Sequence, residues 1–149
     1  MGLVEMAGRL KDVHPNYVML FKSGTFYKVF GKDAYILGAM FNYNIHIVNE
    51  NVTTCGFPIT AEKRVRTKLE ESKINYKIVD PRNEYKVDIS EDYKNLNNYE
   101  KEFKKDFTIM KQRKVITRLT EELSLYIDKP NFKEIIRKIE DILDEAREV

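Results

Sequence analysis

Residues 16–30 constrain the fold more than any other part of the chain. Asn16 to Lys22 (NYVMLFK) is a short apolar run behind Pro15, the length of a buried strand. Ser23-Gly24 follows as a turn signal. Thr25 to Phe30 (TFYKVF) then alternates, with Phe26, Lys28 and Phe30 on one face and Tyr27 and Val29 on the other. Two such runs about a two-residue turn predict a β-hairpin. By pattern alone Phe26 shares a face with Phe30, and a strand phenylalanine in that position is a core residue.

The segments beyond the hairpin predict an α/β half. Asp33 is placed to cap a helix through DAYILGAMF, where Ala34, Leu37, Gly38 and Phe41 recur at helical spacing. Ile45, Ile47 and Val48 suggest a third strand, and Gly56-Phe57-Pro58 a turn or strand end with Phe57 as its anchor. Thr60 is the expected cap of a helix AEKRVRTKLEESK, with Val65 and Leu69 inward and Lys63, Arg64, Arg66 and Lys68 outward. Ile74, Tyr76 and Ile78 alternate in INYKIVD as a further strand.

The texture changes across PRNEYKVDISEDY. The expected division is an α/β domain over 1–85 and a helical extension over 86–149. Its two helices are expected at about 90–126 and 131–148. DKPN separates them, and Asn131 with Glu134 has capping-box spacing. A short break between two apolar stripes predicts an antiparallel helical hairpin. Residues 1–85 carry a net charge of +3 and residues 86–149 of −1, so the total of +2 conceals a weak basic bias in the first half.

Composition removes several classes. One cysteine, Cys55, allows no disulfide framework and no cysteine-based zinc site, which fits a reducing, cytosolic setting. MGLVEMAGRLKDV has no apolar core of a secretory signal, and no run approaches the 18 apolar residues of a membrane span. There is no GxxxxGK[ST], GxSxG or HExxH. His14 and His46 stand apart from carboxylates at ligand spacing, and Cys55 reads as a small buried hydrophobe. No cofactor, no metal and no enzymatic activity are expected.

Three motifs then occur in one order. VMLFKSGTFYKVFGKDA contains Gly24, Phe26, Tyr27, Phe30, Asp33 and Ala34, with Val29 for a leucine; CGFPIT contains Gly56 and Pro58; and LEESKINYKIVDP ends in Asp80-Pro81. In this the chain resembles the amino-terminal mismatch-recognition domain (domain I) of MutS DNA repair proteins, over about residues 14–82. The resemblance implies a mixed sheet flanked by helices, here a stand-alone domain with a helical extension and no repair ATPase. It also implies that Phe26 faces nucleic acid, as the wedge that enters the minor groove and stacks on a mispaired base. At the family's hydrogen-bonding glutamate stands Lys28, and Thr25 replaces the motif aspartate. A lysine only donates and adds positive charge, so sequence-blind affinity should rise and mismatch reading should weaken.

The expected binding set is therefore Phe26, Lys28, Lys22, Lys32, Lys63, Arg64 and Arg66. The expected partner is duplex DNA or an RNA–DNA hybrid. By family-level expectation a polymerase or reverse transcriptase is a further partner. The alternative is a scaffold that binds no DNA and uses the helical tail to dock on a protein or on its own copy.

Overall fold

The computed structural model describes residues 2–48, 51–94 and 96–148. Among these residues six strands and five α-helices follow one another as α1 (Leu3–Val13), β1 (Val18–Ser23), β2 (Phe26–Phe30), α2 (Lys32–Phe41), β3 (His46–Val48), β4 (Val52–Pro58), α3 (Glu62–Glu71), β5 (Tyr76–Asp80), β6 (Lys86–Glu91), α4 (Leu96–Ser124) and α5 (Phe132–Arg147). The strands form one mixed sheet in the order β3-β4-β2-β1-β5-β6. Only β1 and β5 run parallel; the other neighbours are antiparallel.

Alternation divides the sheet into two differently covered faces. One carries Val18, Leu20, Tyr27, Val29, Cys55, Phe57, Tyr76 and Ile78, all buried with Val65 and Leu69 of α3, Ile36 and Leu37 of α2, and Tyr99 of α4. Leu69 is fully enclosed, and replacing such a side chain with alanine costs about 2–5 kcal/mol. On the other face Met19, Phe21 and Val79 pack with Ala7 of α1, and Leu3, Leu10 and Phe30 close this smaller core. Leu3, Ala7 and Leu10 recur at helical spacing, which turns one stripe of α1 onto the sheet.

Several sequence expectations are corrected. Asp33 does not cap α2. Gly31, with φ of 61°, precedes the helix, and Asp33 lies within the first turn, buried. Its carboxylate accepts from Lys11 Nζ at 2.7 Å, Tyr99 OH at 2.5 Å and the Met19 backbone N–H at 3.0 Å. Gly56-Phe57-Pro58 is the end of strand β4, one of the two expected readings, but Phe57 is a core residue rather than a turn anchor, stacked on Tyr27 at 5.1 Å. Thr60 lies in a single 3-10 turn over Ile59–Ala61, and α3 starts without a side-chain cap. Asn131 precedes α5 but makes no capping bond, because its backbone (φ −92°, ψ 5°) is not extended.

The division at residues 85 and 86 is also displaced. β6 adds an edge strand paired with β5, and Tyr99 is enclosed by the α/β core. The first compact unit therefore runs to Met110, and the second is Lys111–Val149. Within the second unit the end of α4 and α5 form the helical hairpin, joined by a turn over residues 125–131.

Candidate nucleic-acid interface

The β1–β2 turn consists of two residues, Gly24 and Thr25, because Ser23 pairs with Phe26. Gly24 has φ of 63° while Thr25 keeps a negative φ. A positive φ at the first turn residue alone is the II′ pattern, which matches strand twist and which glycine adopts without steric cost. The turn presents Phe26 as the first residue of β2, and the residue is 51% exposed.

Its neighbours explain that exposure. Across the ladder Phe26 lies between Ser23 of β1 and Pro58 of β4. Neither is large enough to cover a benzyl ring. Phe30, four residues on, meets Phe21 at 5.9 Å and joins the α1 core. The two phenylalanines share a face, but α1 covers only one end of it. Ile59, 46% exposed, follows Pro58 and donates its backbone N–H to Thr25 O at 2.9 Å. Phe26, Pro58 and Ile59 thus form an apolar tip where the hairpin meets the entry to α3.

Lys28 lies two residues along β2, on the same face as Phe26. It is exposed and stands between Phe21 and Gly56. It also lines a cavity of about 290 Å³ with Leu3, Phe30, Val48 and Thr54. Phe26 and Lys28 are therefore adjacent on one surface, an aromatic ring with a cation one pleat away.

The other expected binding residues do not converge on that surface. Lys22 points to the α3 face and pairs with Asp88 at 2.6 Å, and that hydrogen bond raises its pKa. Lys32 pairs with Glu100 at 3.6 Å and lies 4.9 Å over the Phe103 ring. Arg64 donates to Tyr43 OH at 2.8 Å and stacks over Phe41. Arg66 donates to Tyr76 OH at 3.0 Å and pairs with Glu62 at 3.7 Å. Tyr76 donates in turn to Glu70 at 2.6 Å; burial and that bond push its phenol up to about 12. Tyr27 OH donates to Glu62, and burial raises its pKa well above the ordinary range. Lys63 is exposed on α3, whose inner stripe packs beneath Tyr27 and Val29 on the opposite face from Phe26. Charge along α3 in the sequence does not reveal that its arginines are held by tyrosines 10 and 21 residues away.

Cys55 is buried, and burial pushes its thiol up to about 12, which disfavours the reactive thiolate. His14 and His46 belong to no cluster: among the described residues no group of three or more His, Cys, Asp or Glu could hold a metal ion. Among the described residues no helix is long and apolar enough to cross a membrane.

The mixed six-stranded sheet thus carries helices on both faces and a half-exposed aromatic at a hairpin tip. The family model of MutS domain I matches residues 3–121, and the chain belongs to that family. The match runs from α1 into α4, beyond the segment of about 14–82 that carries the motifs. No curated protein matches the chain.

Proposed function

We propose that this domain is a binding module rather than an enzyme. It engages duplex DNA or an RNA–DNA hybrid at distorted or mispaired steps. The observation that carries the reading is Phe26: a large apolar residue half exposed at the start of β2, with Lys28 two residues along the same face. An apolar wedge between base steps exchanges unstacking for a kink that brings more backbone against the protein. Lys28 supplies charge to phosphates or base acceptors, and Lys63 can add a peripheral contact. With lysine where the family has glutamate, the domain favours deformable sites over particular mispairs.

The test is binding of the wild type and Phe26→Ala to matched duplex, single-mismatch duplex and RNA–DNA hybrid at two salt concentrations. Loss of one base–aromatic stack weakens binding by about 1–3 kcal/mol. The wild type should also lose affinity steeply with salt. Equal affinity of both proteins would sink the wedge. No binding by either at low salt would favour the scaffold reading instead.

A further inference from the structure

Lys111–Val149 is a compact unit of 39 residues, and among its described residues none is buried. Chains below about 40 residues need disulfides, a metal or oligomerisation to complete a core. The only cysteine, Cys55, lies elsewhere. The hairpin nevertheless exposes much apolar surface. Ile116, Leu119 and Leu123 of α4 and Ile135, Ile139 and Leu143 of α5 line one open groove of about 650 Å³. Ile116 is 63% and Ile142 64% exposed.

Charge order indicates what covers this face. The first half of α5 holds Lys133, Arg137 and Lys138 against Glu134. The second half, through Glu148, holds Glu140, Asp141, Asp144, Glu145 and Glu148 against Arg147. The halves carry +2 and −4. That order opposes the helix dipole, which favours acids at the start and bases at the end. The end of α4 repeats it: Lys111, Arg113, Lys114 and Arg118 precede Glu121 and Glu122. A parallel neighbour of the same kind would face like charge with like charge. An antiparallel copy meets opposite charge along its whole length.

We infer that this face is completed by a second copy of the chain. The α5 helices pack antiparallel about a two-fold axis near Ile139, and two hairpins make a four-helix bundle. In that arrangement Ile135 of one copy meets Leu143 of the other. Lys133, Arg137 and Lys138 meet the acidic half of the opposite helix.

Two measurements on the full chain test this. Sedimentation velocity over about 1–100 µM should give twice the 17.7 kDa chain mass in the upper range. Ile139→Glu should weaken dimerisation by at least about tenfold, since it places two carboxylates at the axis. Cysteine variants then read the orientation under mild oxidation, where only close Cα atoms can bridge. Ile139→Cys should cross-link to itself. Ile135→Cys should cross-link only when mixed with Leu143→Cys. A wild type that is monomeric throughout overturns the proposal and assigns the face to another protein. Self-linking of Ile135→Cys overturns the antiparallel arrangement.

Discussion

Removing the Lys11 charge should destabilise the domain severely at neutral pH and much less in acid. Lys11 Nζ lies 2.7 Å from a carboxylate oxygen of Asp33, 2.6 Å from Tyr17 O and 4.1 Å over the Tyr99 ring. At an effective dielectric constant of about 20, charges at 2.7 Å attract by about 6 kcal/mol. Desolvation opposes much of that: burial pushes Asp33 up and Lys11 down from their ordinary pKa values. Breaking one side of such a pair costs about 3–5 kcal/mol, because the partner is left buried and charged. Lys11 is a quarter exposed, so Lys11→Met belongs at the lower end, about 3 kcal/mol, a large share of a typical 5–15. The sign with pH follows from the orphaned acid. Without Lys11 the Asp33 pKa rises further, and the folded state takes up a proton before the unfolded chain does. The gap to wild type is largest where Asp33 is ionised in both proteins and closes as pH falls through the variant's raised value towards the wild type's own Asp33 pKa, which burial already holds above the ordinary range. Urea unfolding followed by circular dichroism at pH 7 and pH 4.5 measures both quantities. Lys11→Met/Asp33→Asn should cost less than the sum of its singles. A Lys11→Met penalty below about 1 kcal/mol, or one independent of pH, would refute the reasoning.

Two further outcomes are expected at the surface and in the core. Lys28→Glu removes the cation beside Phe26; duplex affinity should fall, the salt slope should shrink by about one phosphate contact, and the ratio of mismatch to matched binding should rise. Titrations at several salt concentrations read all three, and an unchanged ratio would show that residue 28 does not touch bases. Cys55 should resist a thiol reagent at pH 8 in the folded protein and react fully in denaturant, since burial holds its thiol up near 12; rapid native labelling would contradict its enclosure.

The strands of the α/β half were legible wherever period and burial agree. Val65 and Leu69 face the core as their spacing predicts, as do Tyr76 and Ile78. What the pattern could not supply was the cover over each face. Phe26 and Phe30 are equivalent by alternation, and only the position of α1 leaves one of them outside. The family motif, not periodicity, marked Phe26 as outward. β6 was missed because KVDISE is a polar edge strand with a bulge opposite Ile78 and Val79, and edges carry little apolar signal. Asp33 read as a cap because caps and buried acids use the same residue. Its partners Lys11 and Tyr99 are 22 and 66 residues away and meet it only in the fold.

Pro58 faces Phe26 in the ladder, and a proline has no N–H to donate there. The chain leaves the sheet at that point, and the next residue fastens the turn through Thr25 O. The Phe26 position is therefore braced on both flanks. A braced ring has little backbone freedom left to lose on docking, and little give with which to adapt. On the proposed reading the duplex must do the yielding, so substrates should sort by their compliance, a nick or bulge ahead of a mispair and a mispair ahead of a stiff A-tract.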